Sequence, residues 1–595
     1  MLAKKFRLER WLTAILALFL LPAAGTAQPA PLDEPLHSPY LIIITPTPPA
    51  DVFTDAARLD ARAFEEAGAK SLGDALRLAP EISIVQYGPW GSVERIGLRG
   101  ASSDRALVLL DGSPVAAGEI ASLLQIPLTE VAFIEILRGP SLYGSTGGTI
   151  NVVTTRAASV QGSRVRSESR FPQRDLAVTE GGFQSNLRFL LSAGRRENPS
   201  PLPGATDREH YARLHFERDL SAASEGSVSL ALAVREEGAP ALSQAPAPGV
   251  QRFDDLAALD VKYLHELSGG VIEASAYARL ARAGGAGAAP VRHEESSVGA
   301  AVAATLDLGA ASVKAGVMGQ KERAQSDRLV PGDHTAGQSA LFGEVTYTSG
   351  DTVRLSAGAR AAQFTPFGGA VSPYVHLEAA VSPRLRLRAS AAHSFTPPTF
   401  DDLFRIGVGN PHLRPSRGWR YEAGVNHTVR WGTLDVAAYR EQITDRIHWW
   451  PDPAGVRRPR NVAQSQRDGL DVTLSAPISS RVTTSVGLSL AYDRETSTGR
   501  RLPYVPTATA HWGITYTGAA TRGHLELEYV GAQPDGAGGQ LSPFTMVNGR
   551  IVHAAGRGID LFAEGFNLFG AGPAGAGADS ELPGPSVMVG ASVNF

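Results

Sequence analysis

Arg384, Arg386, Arg388 and Ser390 alternate with Leu385, Leu387, Ala389 and Ala391, so an extended segment here carries apolar side chains on one face and cations on the other. Three guanidinium groups on one face are costly in a dry core, whereas they suit a wall with lipid outside and a wet lumen inside. A strand of a soluble sandwich could show the same alternation once. Here it recurs in Val353 to Ala357, Val486 to Tyr492, Trp512 to Tyr516 and His524 to Tyr529. No apolar run reaches the roughly 18 residues of a membrane-crossing helix, which argues against a helical membrane protein and leaves a membrane barrel open.

Tight turns are expected near Gly181, Ser224, Ser268, Gly309, Gly350, Pro383, Trp431, Ser479, Thr521 and Arg557, a spacing of roughly 42 residues per pair of strands. Ten turns at one end join about 22 antiparallel strands if both ends of the barrel lie on that side, a size that encloses a plugged lumen. Longer Pro/Gly-rich stretches, Gly238 to Arg252 and Gly570 to Pro585, fall between them as loops of the opposite end. The last segment places Val587, Val589, Ala591, Val593 and Phe595 on one odd-numbered apolar face.

Residues 1–27 read as a cleaved export signal. Lys4, Lys5, Arg7 and Arg10 against Glu9 give them a net +3, followed by WLTAILALFLLPAA and the small-residue ending Gly25-Thr26-Ala27. With a formal charge of -3 for the whole chain, the remainder carries -6, and no basic face points to nucleic acid. The exported chain has no cysteine, so a large core or embedding in lipid must supply what disulfides do not.

Residues 49–160 differ from the strands of 161–595. A helical segment over Ala61 to Leu78 precedes short apolar strands, as in a globular α+β unit that folds by itself. Four stretches stand out in order: LGDALRLAPEISIVQYG (Leu72 to Gly88), IGLRG (Ile96 to Gly100), ALVLLDGSPV (Ala106 to Val115) and IEILRGPSLYGSTGGTINVVTT (Ile134 to Thr155). In the second unit, SFTPPTFDDLF (Ser394 to Phe404), GNPHLRPSRGWRYEAGV (Gly409 to Val425) and LFAEGFNLFG (Leu561 to Gly570) add to them. Together these resemble the TonB-dependent outer-membrane receptor family, and within it the cobalamin receptor group. The stretch between Arg138 and Gly147 is two or three residues shorter than the family pattern.

The resemblance implies an all-β membrane protein: an antiparallel outer-membrane β-barrel of about 22 strands over 161–595, with an N-terminal globular α+β plug domain over 49–160 inside it. Arg138 or Glu135 is expected to fix the plug to the wall rather than to touch cargo. In residues 28–48, Leu41, Ile42, Ile43, Ile44 and Thr45 resemble the TonB box, an extended segment that adds a strand to a partner's sheet. Pro39 and Tyr40 stand where the box usually opens with an acidic residue. Phe595 resembles the terminal aromatic that outer-membrane barrels present to the barrel assembly machinery.

Tyr87 and Trp90 in the plug, and Trp449 and Trp450 in an expected outer loop beside His448, offer flat apolar area for a large ring-bearing ligand. The implied partners are TonB with its inner-membrane energising complex, outer-membrane lipid and lipopolysaccharide, and a transported small molecule, with the receptor a monomer. Cobalamin is the leading ligand and a ferric siderophore the alternative; a passive barrel or adhesin is the reading from another class. The 14 histidines are scattered without metal-ligand spacing. Gly570 to Gly575 matches G-x-G-x-x-G, but Pro573 and the absence of a following helix make it a loop. No catalytic constellation, cofactor motif or metal site stands out, so no enzyme is expected.

Overall fold

The structure, a computed structural model, describes residues 56–61, 63–64, 69, 72–79, 82–86, 94–98, 107–114, 128, 131–137, 148–154, 162–171, 174–184, 186–199, 206–238, 251–286, 291–536, 538–556, 558–570 and 585–594. The export signal, the TonB box at Leu41 to Thr45, Tyr87, Trp90, Arg138 and Phe595 lie outside them.

Twenty-two antiparallel strands form one closed barrel in chain order, and the last strand, Ser586–Asn594, pairs with the first, Gly162–Phe171. Burial along these strands is inverted relative to a soluble protein. Leu341 is 63% exposed, Val371 60% and Val587 70%, while Glu217, Arg467 and Asp493 are almost fully buried. Only lipid can cover such an outer face, and only a polar interior can hold such an inner one. The expected alternation has this sense: Leu387 points out while Arg388 points in, and Leu525 points out while Glu526 points in.

The short connections lie where the turn residues placed them, within two residues of Ser224, Ser268, Gly309, Gly350, Pro383, Trp431, Ser479 and Thr521, and one more joins Gly556 to Ile559 beside Arg557, itself outside the described residues. The first is different. Gly181 sits inside the strand Arg174–Gln184, and the turn comes after it, before Leu187. The Gly181-Gly182 pair is not a turn because Gly182 lies opposite Phe189, whose ring would be 2.9 Å from an added Cβ. The same arrangement recurs around the wall. Gly194, Gly284, Gly299, Gly358 and Gly469 each lie directly opposite Tyr211, Phe253, Tyr277, Tyr374 and Tyr439 in turn, and each ring occupies the space of the missing side chain.

The N-terminal unit contains β1 (Ala56–Asp60), α1 (Leu72–Arg77), the hairpin β2 (Ile82–Gln86) and β3 (Glu94–Leu98), then β4 (Leu107–Leu110), β5 (Ser113–Pro114), β6 (Val131–Leu137) and β7 (Thr149–Thr154). One sheet has the order β1-β6-β7-β4-β5, with β4 and β7 parallel and the other pairs antiparallel. Leu72, Ala75 and Leu76 from α1 pack with Ile134, Ile136, Ile150 and Val152 into one core, which gives the unit a fold of its own. Of the expected helix over Ala61 to Leu78, the structure shows helical residues at Ala61, Ala63 and Phe64 and the helix α1.

Candidate functional site

The dipeptide Asp111-Gly112 links β4 to β5, and both residues have positive φ, 49° and 81°, as a tight two-residue turn demands. The turn turns the Asp111 carboxylate back toward β7. One carboxylate oxygen accepts from the Thr154 backbone N–H at 2.7 Å and the other from the Thr154 hydroxyl at 2.7 Å. The Gly112 N–H donates to Asn151 Oδ1 at 3.0 Å, and Asn151 Nδ2 donates to Glu135 Oε2 at 3.1 Å.

The barrel wall reaches this turn with two cations. Arg213, on the strand Thr206–Ser221, lies 3.6 Å from the Asp111 carboxylate, donates to the Thr154 hydroxyl and is itself held by Ser229 Oγ at 3.1 Å. Lys262, on the strand Gln251–Leu267, donates to the Asp111 carbonyl oxygen. Burial by itself would raise the Asp111 carboxyl, but Lys262, Arg213 and the two bonds from Thr154 outweigh it and leave it below its ordinary value. A charged carboxylate in the plug is thus held by two cations of the wall.

Glu135, one of the two residues offered for holding the wall, does not join this contact, and the other, Arg138, lies outside the described residues. Glu135 occupies β6 between β1 and β7, in one cross-strand row with Arg58 and Asn151, so its side chain is spent inside the plug's own sheet. Burial raises its carboxyl above the ordinary range, against the Asn151 bond and the Arg58 charge.

Trp449 and Trp450 fall at the end of the strand Gly432–Pro451, not in a loop. Along it the buried side chains are odd-numbered from Asp435 to Ile443 and then Arg446 and Trp450, with Asp445 in the left-handed region (φ 53°) at the changeover. Trp450 is only 5% exposed, packed with Val462, Leu502 and Val505, which corrects the expectation of an exposed pair. Trp449 is half-buried and its indole N–H donates to Asp402 Oδ1 at 2.8 Å.

Asp402 belongs to the short helix α2 (Phe400–Phe404), where it forms a reciprocal cap with Thr399 within the SFTPPTFDDLF stretch. The long connection carrying α2 is laced to the one over 327–333. Val330 N–H donates to Phe404 O and Ile406 N–H to Arg328 O, both at 2.8 Å. The long-loop end is therefore built of connections braced on one another. Among the described residues no group of three or more His, Asp and Glu could hold a metal ion.

Sequence reasoning did not single out Asp111, Arg213 or Lys262 as a contact. The Asp-Gly pair does announce a turn with positive φ, but Lys262 is 151 residues further along the chain and no local pattern marks it as the partner.

Residues 49–150 match the TonB-dependent Receptor Plug Domain, and residues 275–568 match the family described as TonB dependent receptor-like, beta-barrel. Over 532 residues the chain is 24% identical to the vitamin B12 transporter BtuB of Vibrio vulnificus strain YJ016, covering 83% of this chain and 84% of that one. It is 34% identical over 160 residues to the vitamin B12 transporter BtuB of Vibrio cholerae, about a quarter of each chain. Among solved structures, a variant of the ferric enterobactin receptor of Pseudomonas aeruginosa superposes with a TM-score of 0.77 at 16% identity, over 91% of this chain and 98% of that one. The copper transporter OprC superposes with a TM-score of 0.76 at 15% identity, over 91% and 99%. The plug match and the barrel match fall on the two units that the structure shows, a small mixed sheet with its helix and a closed barrel of 22 strands, and the chain belongs to the TonB-dependent outer-membrane receptors.

Proposed function

We propose that this receptor takes up cobalamin, with TonB pulling on Leu41, Ile42, Ile43, Ile44 and Thr45 after the export signal over residues 1–27 has been removed. The observation that carries the ligand is the 24% identity to a vitamin B12 transporter along 83% of the chain, more than a shared plug alone. A ferric siderophore is the second reading, favoured by the likeness in fold to ferric enterobactin receptors. No bond of the ligand is made or broken on either reading. Ligand bound at the outer end shifts the population toward a state in which the box is offered to TonB, and force then reaches β1 directly, since it begins shortly after the box. From β1 the load passes through β6 and β7 to Thr154 and the Asp111 turn, the contact that the wall holds through Arg213 and Lys262.

Thermal unfolding of the purified mature protein tests the ligand, because a molecule that binds only the native state raises its Tm. Cyanocobalamin should raise it, and protection by a ferric siderophore alone would replace cobalamin. Ile43→Pro tests the coupling. Proline removes a backbone donor and fixes φ, so outside binding should persist while uptake fails. If Ile42→Pro, Ile43→Pro and Ile44→Pro all transport as the parent does, the passive-barrel reading takes the place of this one.

A further inference from the structure

We infer that Arg457, Arg460 and Arg500, at the long-loop end of the barrel, form a receiving site for an anionic, oxygen-bearing group on the transported ligand. This deepens the transport reading and rests on it. The guanidinium carbon of Arg460 lies 4.0 Å and that of Arg500 4.7 Å from the centre of the Trp450 ring. That of Arg457 lies 3.8 Å from the centre of the Tyr504 ring.

The inner arginines of the wall are treated differently. Arg388 donates to both oxygens of Asp435, Arg446 and Arg467 share Asp493, and Arg550 lies 2.9 Å from Glu564. Arg457, Arg460 and Arg500 have an aromatic face where those have a carboxylate, and among the described residues none of the three has an acid within ion-pair distance. Glu495 is the acid within electrostatic reach of Arg460, and it is already bonded by the Thr498 hydroxyl at 2.6 Å.

Stacking uses the flat face of a guanidinium and leaves the N–H donors along its edge for other partners, and Arg500 spends one of its own on a backbone carbonyl. All three arginines are exposed at the long-loop end, while the buried Trp450 keeps the floor beneath two of them dry. Two like charges on one ring repel, and an anion between their edges relieves that repulsion. The floor is also rigid. Arg500 donates to the Gly536 carbonyl at 2.6 Å, His448 bonds to the Pro503 carbonyl at 3.1 Å, and Tyr504 is held at φ 61° by its N–H bond to the Pro534 carbonyl. A residue in that backbone region persists only where its surroundings impose it. Three connections thus converge to present three preset, unneutralised cations, as recognition of phosphate, carboxylate or catecholate oxygens requires.

Both ligands under consideration carry such oxygens: a corrinoid has one phosphodiester, a ferric catecholate several. Calorimetric titration of the full mature chain in detergent with cyanocobalamin, a ferric tris-catecholate and inorganic phosphate separates them. The double variant R460Q/R500Q should weaken whichever organic ligand the parent binds by ten- to a hundredfold, about tenfold per charged donor. The outward-facing R440Q variant, whose parent residue pairs with Asp468, should bind as the parent does. Phosphate should compete with the same ligand on the parent, a measurement that survives if the double variant folds poorly. Loss confined to the catecholate names a siderophore as the source, and loss of cobalamin names its phosphodiester. Unchanged affinity in a folded double variant, no competition by phosphate, or no binding of any probe overturns the site. Binding that depends on these arginines without TonB-dependent uptake would instead sink the transport reading and leave the site standing.

Discussion

The Asp111 carboxylate of the plug stands 3.6 Å from the Arg213 guanidinium of the wall, with the Thr154 hydroxyl bonded to both. Removing one member of a buried charged set strands the others in a poorly hydrated place, which costs about 3 kcal/mol or more. Asp111→Ala should therefore loosen the plug without unfolding the barrel, whose strands do not depend on it. Planar-bilayer recordings in moderate urea should show open-pore events at lower urea in the variant than in the parent. Asp111→Asn, which keeps the shape and an acceptor for Thr154, should fall between them. Identical urea thresholds for all three would mean that the contact does not hold the plug.

The two plug carboxyls respond to pH with opposite sign. The Asp111 carboxyl is lower in the folded plug than in an unfolded chain, so its stabilisation is complete above the ordinary carboxylate range, near about 4, and is lost as pH falls through the folded value. The Glu135 carboxyl is raised by burial, so its folded environment favours the protonated form, and that contribution fades as pH rises through its folded value. Glu135→Gln keeps an acceptor for Asn151 and should leave the plug at least as resistant to urea at neutral pH. Asp111→Asn should instead flatten the acidic limb. A Glu135→Gln plug that releases much earlier than the parent at neutral pH would contradict this assignment.

Barrel, turns and strand number were legible because they rest on short-range patterns: the side-chain period of two and the turn residues that interrupt it. The Gly181 turn was misread because a glycine opposite an aromatic ring and a glycine in a turn look alike until the partner strand is known. Trp450 was misread for a related reason, since Leu502 and Val505, which cover it, come from a different connection. The wall contact was invisible because neither Arg213 nor Lys262 carries any local mark of Asp111.

Those opposed glycines make a direct test of the wall. An added Cβ on Gly469 would come within 2.2 Å of the Tyr439 ring, which is buried with the Arg420 guanidinium 3.9 Å from its centre. Gly469→Val should lower barrel stability by about 1–3 kcal/mol, the usual cost of overpacking. Gly319→Ala meets nothing nearer than the Gln338 carbonyl at 4.0 Å and should melt within a degree or two of the parent. Equal Tm values for the Gly469 variant and the parent would show that the ring does not lock the strand pair.

The closing strand presents Val587 and Val589 to lipid, 70% and 57% exposed, and Phe595 continues that odd-numbered series in the sequence. Deleting Phe595 should lower the amount of receptor in the outer membrane several-fold, read by quantitative blotting of isolated membranes. A parent-level signal would remove the reason to treat the terminal aromatic as an assembly mark.

Asp493 accepts from both Arg446 and Arg467, and all three are within 3% of complete burial in the inner wall. Tyr439 and Glu441 add to the field at Arg467, so this acid anchors a larger charged row along neighbouring strands. Such a set is stable only while its charges balance. Asp493→Leu leaves two buried guanidinium groups facing one another, and the expected cost is about 3–5 kcal/mol, seen as a much lower Tm and a poor yield of folded barrel. Replacing Arg446 alone by Met keeps the Arg467–Asp493 pair at 2.7 Å intact and should cost clearly less. If the Arg446→Met variant were the weaker of the two, the acid would not be the centre of the set, and the row would have to be organised by the hydrogen bonds between strands instead.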